Sequence, residues 1–484
     1  MTKFQKQMLT IAAAGALTAV TALPAMAFEN EFHGLYNFNG FYQNYDNNYA
    51  AAGTTVLTNP IGSTSVVNPA TAFYRNTDKV DNYFEQRVRL QYIAKASDDL
   101  KLVTHFEINN RFGQKSAVPT GNGTGGAGTT YQSTTDFFGS DLDTDGTNIV
   151  TKNAYLDFNI TKNLKAMVGL QGYKDSIGGI FINADVPALV LASKMDNLNT
   201  VVGFTRYNDQ NLQNTATMAT AYLGDISTDL VFLDASYAIN KNTKVGASYY
   251  LLRDEMSTAA TGVNKKTTLH TFAVNGATSV SGVKLQGFVA VQSGSLDSTT
   301  ASNEMDYSGW AANIQATTGI AGGTAKAGFL YVSGDTNSDA KKSSAWQQTG
   351  VSSFDDSGMM IMLRNNTHAS TSTVYFMKGA TINNIQLAYL GYDRMLTDKL
   401  GVKANVGFGW DAAQLTLSEV NKGTVAATNS KSGDYLGTEF NGEVNYKLYP
   451  NLTLVAQAGI VKLGDEFDGY KNPFSLRAGA RFSF

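Results

Sequence analysis

The sequence predicts an all-β fold, a transmembrane antiparallel up-and-down β-barrel of about 18 strands. Three observations support this prediction. Stretches of alternating apolar and polar residues recur along the chain, and short turns alternate with long polar loops between them. Beyond the N-terminal segment, no run of ~18 consecutive apolar residues could form a spanning helix. A chain of this kind crosses a membrane as a closed barrel.

Residues 1–27 are predicted to be a cleaved signal peptide. Two lysines precede an apolar, alanine-rich stretch at 8–20, and small residues, Ala25 and Ala27, occupy the −3 and −1 positions of a cleavage site. Cleavage there leaves a barrel over residues 28–484. A retained membrane anchor is the alternative, although the apolar stretch is short for a spanning helix.

The composition suits long strands joined by polar loops. Glycine (46), tyrosine (24) and phenylalanine (26) are abundant, whereas proline is scarce (7). The chain has no cysteine, which excludes disulfides and Cys-ligated metals. Its formal net charge of −3 gives no indication of nucleic-acid binding.

Short turn signals separate the predicted strands, taken in order along the chain. They lie at 97–99, 161–163, 196–197, 240–242, 281–282, 322–323, 397–399 and 449–451. Longer polar excursions lie between these turns, the largest at 46–79, 113–148, 334–383 and 412–432. This alternation places the turns at one end of a barrel and the loops at the other, and it gives about eighteen strands. An extra hairpin within 357–383, formed by 359–362 and 374–376, would give about twenty strands, although this segment could equally be a loop that folds back. A misread pair near 220–240 would give about sixteen strands.

Within the predicted strands, apolar and polar residues alternate with a period of two. In 84–95 one face is apolar and the other is charged, and 100–111, 164–173 and 436–447 repeat this pattern. The last strand, 474–484, alternates in the same way. The apolar face is expected to meet lipid and the polar face a water-filled lumen. Unpaired charges are too costly to bury in a soluble core, although the apolar faces alone are compatible with a β-sandwich.

The inward faces of four strands predict a basic wall along the lumen. In a closed barrel the last strand pairs with the first, so the strands at 474–484, 32–45, 84–95 and 100–111 are expected to be contiguous. The predicted pore-lining residues of this basic wall are Arg87, Arg89, Lys101, Arg111, Arg477, Arg481, Glu85 and Glu107. The alternative is that these arginines are solvated and have no influence on transport.

The loop at 174–187 is predicted to fold into the pore as the third outer loop. It is more apolar than the other outer loops, which are rich in threonine and asparagine, and Gly178-Gly179 permits a tight bend. The residues expected at this constriction are Asp175, Phe181 and Asp185. The two aspartates are expected to face the basic wall. Alternatively, the loop caps the rim or packs on a neighbouring subunit.

Other motifs are weaker. Asp141, Asp143 and Asp145 match the first half of a calcium-binding loop. The twelfth position is Lys152 rather than glutamate, which favours a solvated acidic loop. The sequence contains no catalytic constellation, so it predicts no enzyme and no cofactor.

Both ends of the chain resemble those of Gram-negative outer-membrane porins. Gly34-Leu35-Tyr36 and Gly40 resemble the first strand of many porins, and 477–484 resembles their closing strand. In general character the chain is most similar to the large porins of metal-respiring bacteria. The third outer loop departs from the general porins, because it lacks their Pro-Glu-Phe-Gly-Gly motif.

The resemblance implies a water-filled channel in the cell outer membrane for passive diffusion of small hydrophilic solutes and ions. The implied partners are outer-membrane lipid, lipopolysaccharide and, through Phe484, the barrel-assembly machinery; a homotrimer is compatible with it. Three different functions remain open. They are a channel specific for sugars or organic acids, a barrel sheath for an electron-transfer cytochrome, and a secreted β-rich lectin or adhesin.

Overall fold

The structure is a computed structural model that describes most of the chain. The described residues are 29–44, 56–57, 66–67, 80–113, 149–209, 227–258, 263–298, 304–337, 339, 341–349, 352–363, 382–413, 434–465 and 471–484. The predicted signal peptide, the aspartates of the weak calcium motif and the second half of 357–383 lie outside these residues.

The described residues are almost entirely β-structure. The strands are β1 Glu29–Gln43, β2 Val56–Leu57, β3 Val66–Val67, β4 Asp81–Ser97, β5 Leu100–Arg111, β6 Val150–Thr161, β7 Leu164–Lys174, β8 Asn183–Met195, β9 Leu198–Asp209, β10 Ser227–Asn240, β11 Thr243–Thr258, β12 Val263–Val280, β13 Val283–Ser298, β14 Met305–Tyr307, β15 Trp310–Ile320, β16 Gly323–Val332, β17 Lys342–Ser343, β18 Ile385–Met395, β19 Leu400–Trp410, β20 Tyr435–Tyr449, β21 Leu452–Leu463 and β22 Phe474–Ser483. A short 3-10 helix spans Asp355–Ser357.

Eighteen long strands form a closed antiparallel barrel, as the sequence predicts. Each strand pairs with the next long strand along the chain, and β1 closes the barrel by pairing with both β22 and β4. The short strands β14 and β17 pair in parallel beside the barrel wall, and β2 and β3 form a separate two-stranded sheet. Within the described residues, no helix is long and apolar enough to cross a membrane.

The eight predicted short turns are confirmed, and they all lie at one end of the barrel together with the first and last described residues. The longer connections lie at the other end. The loop between β16 and β18 contains the segment 357–363, which forms no strand and folds into the barrel. The extra hairpin is therefore absent from the described part of 357–383.

The two faces of the wall follow the predicted alternation. Phe84 and Leu476 are about half exposed on the outer surface, whereas Glu85 and Arg477 are buried on the inner one. A band of exposed apolar side chains therefore surrounds the barrel. Trp310 stacks on Tyr331 at the loop end of this band, with ring centroids 4.1 Å apart.

A glycine and the terminal aromatic residue complete the closure of the barrel. The backbones of Gly34 and Phe484 exchange two hydrogen bonds of 2.8 and 3.1 Å. The Phe484 ring covers Gly34 so closely that a Cβ atom on Gly34 would lie 2.1 Å from it. The absence of a side chain at Gly34 thus makes room for the last ring of the chain.

Candidate channel constriction

The strands β22, β1, β4 and β5 are contiguous, so the residues of the basic wall share one inner surface. Arg481, Asn37, Arg87 and Asn109 occupy one row across these strands. From the row of Lys101 to the row of Arg477, the wall spans twelve residues of β4, or roughly 40 Å at about 3.4 Å per residue. The cations therefore form a series along the barrel rather than one ring.

Glu107 sits between two arginines at the middle of the basic wall. Its Oε2 atom lies 2.5 Å from Arg89 Nε and 3.4 Å from Arg87 Nε. Arg87 also donates to Asn109 at 2.7 Å. Two cations sharing one carboxylate leave this level of the wall with a net positive charge.

The next rows hold a buried acid and two further arginines. Glu85 is fully buried and accepts a hydrogen bond from Asn39 at 3.3 Å. Arg111 lies over the Tyr83 ring, 3.7 Å from its centroid. Arg477 donates its Nε–H to Asn39 at 2.9 Å. These contacts hold the guanidinium groups against the wall.

The two remaining predicted cations lie nearer the short-turn end. Lys101 is 3.5 Å from Asp157, which also binds Lys165 at 2.7 Å. Arg481 lines a cavity on the inner face of β18–β22. Sequence reasoning did not foresee Asp157 as a counter-charge.

The third outer loop, 175–182, is organised around one buried carboxylate. Asp175 accepts four backbone N–H groups from its own loop, at 2.7–3.0 Å. The φ angles of Gly178 and Gly179, 85° and 89°, let the chain wrap around the carboxylate. Burial raises the pKa of Asp175 to about 6, although the four N–H donors oppose that shift.

The expectation that the two aspartates face the basic wall is wrong for Asp175, and for Asp185 it stays a prediction. Asp175 is enclosed by its own loop, because a buried carboxylate needs several hydrogen-bond donors and the loop backbone supplies them. Asp185 lies at the start of β8, where it accepts from Lys152 Nζ at 2.6 Å and from Asn153 at 3.2 Å. Asp185 thus reaches across β7 to β6 and pairs with a lysine rather than with an arginine of the basic wall.

The apolar residues of the third outer loop do pack inside the barrel. Phe181 is fully buried, with its ring centroid 5.3 Å from that of Tyr250 and 6.4 Å from that of Trp346. The indole of Trp346 donates to the Ile180 carbonyl at 3.3 Å. The loop is thus held between the barrel wall and a second segment of chain.

That second segment consists of the described residues between 333 and 363 and is here called the infolded segment. Its backbone binds the third outer loop directly: Thr349 N donates to the Phe181 carbonyl at 3.1 Å and Ser353 N to Gly179 at 3.0 Å. The sequence indicated only that 357–383 could fold back. The apolar run 359–363 is visible in the sequence, but it is compatible with a hairpin as well as with a folded-back loop.

A wall carboxylate anchors the infolded segment. The side chain of Glu439, on β20, accepts the backbone N–H groups of Met360 at 2.5 Å, Ile361 at 3.2 Å and Met362 at 2.7 Å. Glu439 and all three donors are buried. An acid is needed here because three converging N–H groups would otherwise lie buried without an acceptor.

Two glycines in β19 let the infolded segment approach the wall. A Cβ atom on Gly407 would lie 2.3 Å from the sulfur of Met359, and one on Gly409 would lie 2.5 Å from the sulfur of Met362. Leu436 joins the same cluster, whereas the sequence pattern put it on the lipid face. The reason is a bulge at Gly437, whose φ of 134° shifts the register at this end of β20.

The interior therefore has two unlike halves. Toward the long-loop end of β8 to β20, inner side chains pack against the third outer loop and the infolded segment in one apolar cluster. From β21 through β1 to β6 the inner side chains are polar and charged. Among the described residues, no group of three metal-binding side chains comes together. The arrangement suits passage of a hydrated solute along a cationic surface.

These features define a large antiparallel barrel that is narrowed from within. No protein-family model matches the sequence, and no curated protein matches it. Solved structures do share the fold. Acinetobacter baumannii OccAB4 aligns over 95% of this chain and 100% of its own, with a TM-score of 0.52 and 13% identity.

Two structures from Pseudomonas aeruginosa are similarly close. OpdL aligns over 94% of this chain and 99% of its own, with a TM-score of 0.52 and 10% identity. The outer membrane protein opdK aligns over 94% of this chain and 99% of its own, with a TM-score of 0.50 and 12% identity. At these identities the likeness establishes the fold of this chain.

Proposed function

We propose that this protein is an outer-membrane channel for passive diffusion of small hydrophilic solutes, with a preference for anions. The observation that carries the proposal is a contrast within the interior: a packed apolar cluster on one side and a basic wall on the other. A hydrated solute crossing the barrel would have to pass along the arginines. The proposal includes membership of the outer-membrane porins. It also includes the narrower similarity to the large porins of metal-respiring bacteria.

The exposed apolar band and the closed wall support a membrane location. Closure leaves no unpaired strand edge, and the outward apolar side chains have no use in water. We infer that outer-membrane lipid and lipopolysaccharide surround this band. We infer that the assembly machinery recognises Phe484 before the barrel closes, after which its ring covers Gly34 at the seam.

A cytochrome sheath fits the interior poorly. Such a sheath needs an open lumen, whereas the third outer loop and the infolded segment occupy the side of the barrel lined by β8–β20. Charge along the remaining wall also fits an organic acid or another anion better than a neutral sugar. A channel for small anions is therefore favoured over a cytochrome sheath and over a sugar-specific channel.

The test is single-channel recording of the purified protein in planar lipid bilayers. Discrete conductance steps and a reversal potential favouring the anion in a KCl gradient are expected, because the wall carries more cations than acids. Insertion without conductance steps would contradict a channel function, and a reversal potential favouring the cation would contradict the anion preference.

The constriction is tested separately by deleting residues 177–183. We expect the variant to conduct more than the parent protein, because it loses Phe181 and the backbone contacts that hold the infolded segment. A folded variant with unchanged conductance would exclude the loop as the constriction and leave the barrel assignment intact.

A further inference from the structure

A cavity of about 310 Å³ lies on the inner face of the barrel at its short-turn end. It is formed by β18–β22 and reaches the turn after β18 at Lys399. Its charged lining residues are Arg394, Lys399, Lys403, Lys447, Arg481, Asp393 and Glu443. Arg394 alternates with Asp393 and its guanidinium lies beside Gly322, so four cations and two acids face this small space, here called the exit niche.

The acids leave most of these cations without a counter-charge. Glu443 is already engaged by Lys403 Nζ at 3.0 Å, by Asn445 at 2.5 Å and by Gln457. Among the described residues, Lys399, Lys447 and Arg481 form no ion pair. Asp393 is the one other acid in the niche, so the surplus of positive charge persists.

The register brings the long side chains of the exit niche together. Lys447 pairs with Thr453, and Thr453 pairs with Arg481, so the two cations lie on alternate strands of one row. Their Cα atoms are therefore about 10 Å apart. The short side chain between them, and Gly401 beside them, leave room for a ligand between the charged ends.

Some cations elsewhere at the same end are paired. Lys95 binds Glu31, and Lys101 and Lys165 both bind Asp157. Within the described part of the chain, the exit niche differs from a single unpaired turn lysine such as Lys241 in that several unpaired cations line one cavity.

We propose that the exit niche binds a compact anion with two or more negative charges, such as a small polycarboxylate or phosphate. The volume accommodates a molecule of about ten non-hydrogen atoms, and the surrounding cations can contact more than one anionic group. The niche faces the interior of the barrel, so the ligand is a free solute and not a lipid headgroup. This site is distinct from the constriction, and its occupancy does not depend on whether the barrel conducts.

The test is calorimetric titration of the detergent-purified protein with citrate, orthophosphate and acetate at low salt. Saturable binding of citrate or orthophosphate is expected, with acetate weaker by at least about tenfold because it presents a single charge. No saturable binding of either polyanion, or acetate binding as tightly, would overturn the proposal.

Variants then locate the site. Lys399→Gln with Lys447→Gln should weaken polyanion binding about tenfold, consistent with the loss of two favourable charge interactions. The matched control is Lys241→Gln with Lys284→Gln, which removes a turn lysine and a strand lysine from the same end outside the niche. It should change the affinity less than about twofold. Equal losses in the two variants would overturn the assignment.

A second variant keeps the test decisive if the double variant fails to fold. Thr453→Glu retains every cation but places a carboxylate between Lys447 and Arg481. It should weaken polyanion binding by about tenfold or more. A folded Thr453→Glu protein that binds with the parent affinity would exclude the exit niche.

Discussion

At the scale of single residues, carboxylates that bind backbone N–H groups decide how the interior is filled. Asp175 accepts four such groups and Glu439 accepts three, and both side chains are buried. Neither role could be predicted from the sequence. In the sequence Asp175 resembles any other loop acid, because the backbone N–H groups that it binds converge only once the loop has folded.

Replacing Asp175 by asparagine should loosen the third outer loop. The amide presents one oxygen and one NH₂ group, so two of the four backbone donors lose their acceptor, at a cost of roughly 2–4 kcal/mol. Limited proteolysis of the detergent-purified protein should then cut within 175–182 faster than in the parent. The control is Asp185→Asn, which alters an exposed acid of the adjacent strand and should leave the cleavage rate unchanged.

The same residue predicts a pH dependence of loop docking. The docked pKa of Asp175 is about 6, above the ordinary value of 3.8, so the docked loop binds a proton more tightly than the free loop. Docking is therefore strengthened as the pH falls from about 6 to about 4 and is weakened as it rises back through 6. The difference is at most about 3 kcal/mol.

Proteolysis or channel noise recorded between pH 7 and 4.5 checks this prediction. Loop release should become rarer toward acid pH in the parent protein. The Asp175→Asn variant should lose this component, because the amide does not titrate in that range. A parent protein whose loop release increases steadily on acidification would contradict the assignment of the effect to this carboxylate.

At the scale of elements, local patterning predicts the strands well and the infolded segment poorly. Period-two alternation and turn residues are properties of neighbouring positions, so the eighteen strands and eight turns are readable from the sequence. The run 359–363 shows no periodicity, and its anchor Glu439 lies nearly 80 residues away. The sequence shows that Gly407 and Gly409 are small, but it does not show that the side chains of two methionines pack against them.

Glu439→Gln should release the infolded segment. Glutamine offers one acceptor oxygen to three converging N–H groups, and its own NH₂ group opposes the others. We expect a larger mean conductance and more frequent transitions between conductance levels in planar bilayers, since 359–363 would leave the wall.

The matched control for this prediction is Glu443→Gln, four residues further along β20. Glu443 binds the side chain of Lys403 instead of the infolded segment, so its replacement removes the same charge without freeing any loop. If both variants raised the conductance equally, wall charge rather than segment release would be the cause.

At the scale of the whole molecule, the grouping of cations on one side of the barrel follows from closure. The basic wall exists because the last strand meets the first, which brings Arg477 and Arg481 beside Arg87 and Arg89 although nearly 400 residues separate them in sequence. This juxtaposition is predictable from a closed barrel alone. The positions of the arginines along the barrel axis are not predictable, because they depend on the register of four strands.

Removing two adjacent cations should therefore change ion selectivity. Arg87→Ala with Arg89→Ala leaves Glu107 on the wall without the two guanidinium groups that now lie 3.4 and 2.5 Å from it. The local charge changes from net positive to net negative, so the reversal potential in a KCl gradient should shift toward the cation. The complementary variant Glu107→Gln should shift it toward the anion. Opposite shifts of the two variants would locate the selectivity at this level of the barrel, whereas reversal potentials identical to that of the parent would mean that ions pass beyond the reach of these arginines.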